Sequence, residues 1–241
     1  HGQQSTDPAR SRETTTYYGP GSGVDLALQE APALFGANAR VGVVGLGTGT
    51  LACWRRPGQD WTFFEIDPAV LAMSEEGVFT YLDQCAPDAE VELGDARLRL
   101  EEGPPARFDM LVIDAFSSDS IPLHLLTVEA MGAYLRAVPP GGVILLHISN
   151  RYITLEPMIA ALARQHGLAA RIRVDNPQDR TRLTPSAWVA LSRDASQVEQ
   201  LAQARRDTPW DTLAYPAPRA WTDDYASILP YIQWGKLLGD L

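Results

Sequence analysis

The sequence predicts an α/β fold: a mostly parallel, seven-stranded sheet that ends in an antiparallel C-terminal hairpin, with a small β segment at the N-terminus. Three observations carry this. Short apolar runs alternate with stretches of helical length, the pattern of a parallel sheet covered by helices on both faces. The first complete run, residues 41–44, feeds a glycine-rich turn, "GLGTGT". The last two runs, 168–174 and 186–192, are joined by "DNPQDRTRLTP", which is too short for a crossover helix, so they pair antiparallel.

The elements follow in order. Residues 1–22 are polar and turn-rich and are expected to form a β-hairpin or loop segment. Residues 24–35 have helical spacing of Val24, Leu26, Leu28 and Leu34, interrupted by Pro32. Residues 41–44 read as a buried strand and 50–55 as the start of a helix. "DWTFFEID" is a second strand, and "PAVLAMSEE" opens a helix with Pro68 in its first turn. "AEVELGD" is a third strand. "FDMLVIDAF" is a fourth, apolar on both faces as a central parallel strand should be. "TVEAMGAYLRAV" is a helix with Thr127 as N-cap, stopped by "PPGG". "GVILLHIS" is a fifth strand, followed by a helix that Gly167 closes. The expected organisation is an N-terminal segment (1–22), a nucleoside-binding catalytic domain (23–196) and a tail packing near the active site (197–241).

Bulk properties narrow the function. With 241 residues and 45% hydrophobic content, the chain can build one sizeable core. Its 20 basic against 30 acidic residues give a net charge of -10, which disfavours nucleic acid as a partner and leans toward a cationic substrate. Two cysteines, Cys53 and Cys85, make neither a disulfide framework nor a metal cluster and fit a reducing compartment, so a cytoplasmic location is expected. No run of about 18 apolar residues is present, and no signal peptide. The chain opens at His1 without Met, so it is expected to be a processed or excised piece of a longer one.

In the glycine turn, Gly45, Gly47 and Gly49 permit positive φ and a close approach of backbone to a ligand. Glu65 ends the next strand, near the ~20-residue offset at which a carboxylate meets ribose hydroxyls. Asp95 ends the third strand, where an acid can accept from an adenine amino group. The turn lacks the Lys-Ser/Thr of a P-loop. A dinucleotide remains compatible with the turn alone. The antiparallel end and Asp95 favour an adenosyl ligand without pyrophosphate: S-adenosylmethionine or its decarboxylated form. Asp114 closes the fourth strand on the edge that faces the ligand crevice, and Asp119 follows on a loop. Two carboxylates there suit binding a cationic amine and removing its proton. An acid ending an apolar central strand is costly unless used, whereas Asp119 has a helix or turn cap as its alternative. His124 and His147 fall near the same edge and are more often structural than catalytic in such places. Asp223 and Asp224 either complete an acceptor pocket or cap a loop. No His, Cys or carboxylate cluster has metal-ligand spacing.

These residues sit in segments that resemble the spermidine synthase family, the polyamine aminopropyltransferases. The similarity is greatest to bacterial spermidine-synthase-like proteins often fused to a transporter-like membrane domain. The matching segments are "HGQQ", "TTYYGPGSGV", "VGVVGLGTGTLA", "FFEIDPAVL", "GDAR", "FDMLVIDAFSSDSIPLHLLTVEAM", "GGVILLHISNRY" and "WTDDYASIL", which span nearly the whole chain. The resemblance implies a class I methyltransferase-like domain and transfer of an aminopropyl group from decarboxylated S-adenosylmethionine to a polyamine such as putrescine. It implies that Glu65 holds the ribose and Asp95, beside Ala96, the adenine, with Gly45, Gly47, Thr48 and Gly49 along the donor. Asp114 would be the base, Gln3 or Gln4 would touch the donor's tail, and Tyr18, or equally Tyr17, would place the acceptor with Asp119. It also implies a dimer or tetramer, no metal, and a cytoplasmic domain that in a longer chain adjoins a membrane module. Two departures stand out. Thr48 replaces the acid that holds the donor's amine in the family, and Asp114 and Asp119 are spaced more widely than the family's two acids. Two rival readings remain: methyl or other group transfer from intact S-adenosylmethionine, and a non-catalytic nucleoside-sensing domain.

Overall fold

A computed structural model describes residues 2–115, 122–205, 207–213 and 219–239; Asp119 lies outside them. One sheet organises the chain. Its strands are β1 (Arg40–Val44), β2 (Asp60–Glu65), β3 (Glu90–Leu93), β4 (Met110–Ile113), β5 (Val143–His147), β6 (Ala169–Asp175), β7 (Ser186–Ser192) and β8 (Asp211–Thr212). The spatial order is β3-β2-β1-β4-β5-β7-β6-β8. β1 to β5 run parallel, while β7 enters antiparallel to β5 and β6 pairs antiparallel with β7. The C-terminal hairpin is therefore present, and the two-residue β8 adds an eighth strand on its outer side.

The central strands are apolar throughout because both faces are covered. Along β4, Leu111 and Ile113 point into one core, and Met110 and Val112 into the other. The first core is closed by α4 (Ala96–Glu102), α5 (Val128–Ala137) and α6 (Glu156–His166). The second is closed by α1 (Gly23–Phe35) and α7 (Ala195–Gln203), with α2 (Pro68–Glu75) and α3 (Tyr81–Cys85) at its margin. Thr127 caps α5 by accepting the Ala130 N–H at 3.1 Å, and Gly167 ends α6 in the left-handed region at φ 64°. Among the described residues no helix is long and apolar enough to cross a membrane.

Three local expectations are corrected and a fourth, the hairpin or loop at the N-terminus, is narrowed. Residues 50–54 form a 3-10 turn and not the start of an α-helix; Pro57 and the left-handed Gly58 (φ 90°) stop it within one turn. The glycine turn consequently faces no long helix dipole. Pro32 does not interrupt α1, because it stands in the last turn, where only the bond to Leu28 is forfeited. The N-terminal segment is no hairpin. Asp7 and Pro8 nucleate a 3-10 turn at Pro8–Arg10, and Thr16 makes a single parallel bridge to Leu183 in the β6–β7 loop. Cys53 and Cys85, expected as separate thiols, form a disulfide with Cα atoms 4.8 Å apart. Their pairing removes the ground for reading a reducing compartment from cysteine number.

Candidate functional site

The carboxyl ends of β1, β2, β4 and β5 and the start of α4 converge on one edge, and with them Gly45, Glu65, Asp95, Asp114 and His147. A cavity of about 250 Å³ opens there between Gly45, Gly47, Glu65, Asp95, Ala96 and Asp114. Gly45 is the point of closest approach. Its φ is 100°, and a Cβ there would lie 2.7 Å from the Asp114 carbonyl oxygen, so only glycine lets β1 and β4 end this near each other.

Glu65 is buried at 8% exposure, yet both oxygens of its carboxylate have backbone partners. Oε2 accepts the backbone N–H groups of Leu46 at 3.0 Å and Gly47 at 3.3 Å, and Oε1 accepts that of Asp67 at 3.0 Å. The acid at the end of β2 therefore sets the shape of the glycine turn. A carboxylate offers about four lone-pair directions, so one remains for a hydroxyl in the cavity. Asp95 splits its oxygens similarly. Oδ1 caps α4 through the N–H groups of Arg97 and Leu98, while Oδ2 stands 3.6 Å from the His124 Nε2, and both residues line the cavity. Phe64, Ile66, Val70 and Leu125 supply apolar walls. The sequence reading missed Ile66. Its signal is a large apolar side chain placed directly after a strand-end acid and left 67% exposed.

Asp114 anchors the deepest wall. Its side chain is 3% exposed. Oδ2 accepts the Tyr18 hydroxyl at 2.5 Å, and Oδ1 lies 2.7 Å from the His147 Nδ1. Burial, then the Asp114 charge, push the Tyr18 phenol well above its ordinary value, so it stays a donor. Tyr17 packs its ring 4.4 Å from that of Tyr18 and 4.5 Å from that of His147, tilted 31° to the imidazole, its phenol also raised by burial first and Asp114 second. The two tyrosines, indistinguishable in the sequence, thus take different places. Tyr18 is fixed on the acid, and Tyr17 covers the histidine. The β6–β7 loop holds both: Thr16, at φ 55°, donates its N–H to the Arg182 carbonyl at 2.7 Å.

Several anticipated residues lie elsewhere. Gln4 hydrogen-bonds the Ser11 carbonyl and both the hydroxyl and the N–H of Thr80, outside the cavity lining. Thr48 bonds Thr50 at 2.8 Å and packs under Gly2, and Gly49 packs on Leu82; neither lines the cavity. Gln3 and Tyr17 line a second cavity, of about 800 Å³, on the far side of His147. Asp223 makes a bidentate pair with Arg97 at 2.8 and 2.7 Å and also accepts the Thr127 hydroxyl, so it locks the C-terminal segment to α4 and α5. That use is structural; Asp224 beside it is exposed.

No family model matches the chain, and no curated protein matches it in sequence. Its fold does match solved structures. It is 16% identical, at TM-score 0.61, to a probable spermidine synthase from Corynebacterium glutamicum, over 85% of this chain and 81% of that one. It is 20% identical, at TM-score 0.53, to human methyltransferase-like protein 13 in complex with SAH, over 84% and 94% of the two chains. The spermidine synthase from Thermotoga maritima is 17% identical at TM-score 0.52, over 80% of this chain and 64% of that one. These likenesses establish a class I methyltransferase-like fold, shared by aminopropyl- and methyltransferases alike.

Proposed function

We propose that the chain is a group-transfer enzyme using an adenosyl sulfonium donor, and that it moves an aminopropyl group onto a primary amine. One observation carries the reading: a carboxylate buried at the end of the central strand, Asp114, stands in the wall of the cavity that Glu65, Asp95 and the glycine turn also line. The cavity fits an adenosyl group. Glu65 keeps one acceptor direction for a ribose hydroxyl, Oδ2 of Asp95 is unspent on its helix, and Phe64, Ile66 and Leu125 offer apolar surface to a base. When bound, the sulfonium supplies an electrophilic carbon. Asp114 takes the proton of the acceptor amine, and Tyr18 keeps its carboxylate aimed. A small cationic polyamine is the proposed acceptor class. A homodimer or tetramer, and a neighbouring membrane module in a longer chain, remain proposals from the family resemblance alone.

A second reading, methyl transfer from intact S-adenosylmethionine, is supported by the fold, which methyltransferases share with aminopropyltransferases. Product analysis separates the readings. Incubation with each donor and putrescine gives methylthioadenosine for aminopropyl transfer and S-adenosylhomocysteine for methyl transfer; binding without either product leaves a sensing domain. Asp114→Asn should lose about 10²–10⁴-fold in rate while keeping affinity for methylthioadenosine. Turnover within a few-fold of wild type rejects Asp114 as base.

A further inference from the structure

Asp114 is one end of a hydrogen-bonded chain that crosses from the first cavity to the second. His147 closes β5, with Nδ1 at 2.7 Å from Asp114 Oδ1 and Nε2 at 2.7 Å from the Ser149 hydroxyl. Ser149 Oγ in turn accepts the Ala187 N–H at 2.8 Å. The imidazole is buried and clasped between two rings, Tyr17 at 4.5 Å and Trp188 at 4.4 Å, the latter stacked at 18°. His147 and Ser149 both line the second cavity, and Asp114 lines the first.

The ends of the chain fix its direction. A backbone N–H only donates, so Ser149 spends a lone pair on Ala187 and has its own O–H free for Nε2. A carboxylate only accepts, and an unprotonated Nδ1 would set its lone pair against Asp114 Oδ1 at 2.7 Å. The Asp114 end demands Nδ1–H, and with Nε2 then bare the O–H of Ser149, its oxygen already accepting from Ala187, is free to donate to it. We propose that Ser149 and His147 are positioning residues for Asp114, Ser149 locking His147 in its Nδ1–H tautomer and His147 holding the carboxylate aimed by a donated hydrogen bond. This rests on the reading of Asp114 as the base. His147 touches neither donor nor acceptor in this role, and a change in it reaches the reaction only through Asp114.

Two measurements test it. The first is ¹⁵N NMR of the imidazole nitrogens, the His147 signals being those absent from His147→Phe, which retains a ring between Tyr17 and Trp188. The expected signature is a neutral Nδ1–H tautomer that Ser149→Ala mixes with the other; an Nε2–H tautomer, or an imidazolium, overturns the proposal. The second is kinetics with putrescine and whichever donor the wild type turns over. Ser149→Ala and His147→Phe should lose about 10–100-fold in kcat with KM unchanged, the scale for outer partners that orient a functional group. Ser149→Thr, which keeps the hydroxyl, and His147→Asn, which keeps a donor toward Asp114, should recover most of it. Unchanged kcat in Ser149→Ala and His147→Phe, with Asp114→Asn inactive, overturns the positioning role and leaves the base standing. A wild type inactive with both donors overturns the base reading and the catalytic half of the proposal with it, and the tautomer still decides the chain. Loss of methylthioadenosine affinity or folding in Ser149→Ala and Ser149→Thr alike also overturns it, since a packing role would then account for the loss.

Discussion

Replacing Glu65 by Gln tests whether one acid both shapes the glycine turn and serves a ligand. Its two oxygens accept three backbone N–H groups, two from the turn and one from Asp67. Gln has one oxygen and one NH₂, so at least one buried donor loses its acceptor, and the bonds that survive lose their charge assistance. Hydrogen bonds to charged groups contribute roughly 1.5–3 kcal/mol each, and a stranded buried donor costs about 1–3 kcal/mol. The expected destabilisation is thus about 2–4 kcal/mol. In a protein of this size each kcal/mol moves Tm by about 2–4 °C, so a fall of about 5–15 °C is expected in calorimetry. If the remaining lone pair takes a ribose hydroxyl, methylthioadenosine binding measured by titration should also weaken, by about 1–3 kcal/mol. A lower Tm with unchanged affinity would make Glu65 a lock for the turn and no ligand contact. Unchanged Tm would refute the hydrogen-bond reasoning itself.

The disulfide joins residues 32 apart, and chain-entropy arguments then give about 3–4 kcal/mol of stability at 25 °C. Denaturant titration of the Cys53→Ser, Cys85→Ser double variant should show that loss, and wild type in strong reductant should match it; a difference under about 1 kcal/mol would contradict the estimate. The Arg97–Asp223 pair is half-exposed, so Asp223→Asn should cost only about 1 kcal/mol globally while speeding amide exchange across 219–229. Hydrogen bonds from Arg97 hold the Asp223 carboxyl below its ordinary value of 3.8. A lowered carboxyl stabilises the fold above the unfolded value and ceases to as pH falls through the folded one. Protection of 219–229 should therefore persist at pH 5 and fade only below about 3.8; fading near pH 6 would assign it to another group.

Much of the fold was written in local pattern. Short apolar runs such as "MLVI", alternating with stretches of helical length, read as strands covered on both faces, and "PPGG" and Gly167 punctuate the helices. The site's edge followed too, because acids that end apolar strands of a parallel sheet must gather at its carboxyl side; Glu65, Asp95 and Asp114 do so. What the sequence could not decide depends on partners distant along the chain. Tyr17 and Tyr18 are neighbours of one type. The bridge from Thr16 to Leu183, across 167 positions, and the Trp54 indole N–H on the Tyr18 carbonyl hold the segment in which Tyr18 is the one bonded to Asp114. Asp223 read equally as a pocket acid or a loop cap, and its partner Arg97 lies 126 residues away. Ser149 lies two positions beyond His147, just past the end of β5, but their alignment with Asp114 comes from β5 lying between β4 and β7, so that Ala187 on β7 orients the serine from one side and β4 presents the carboxylate from the other. Spacing along a chain records which side of an element a residue takes; the direction of a hydrogen bond is set by what the fold places at its other end.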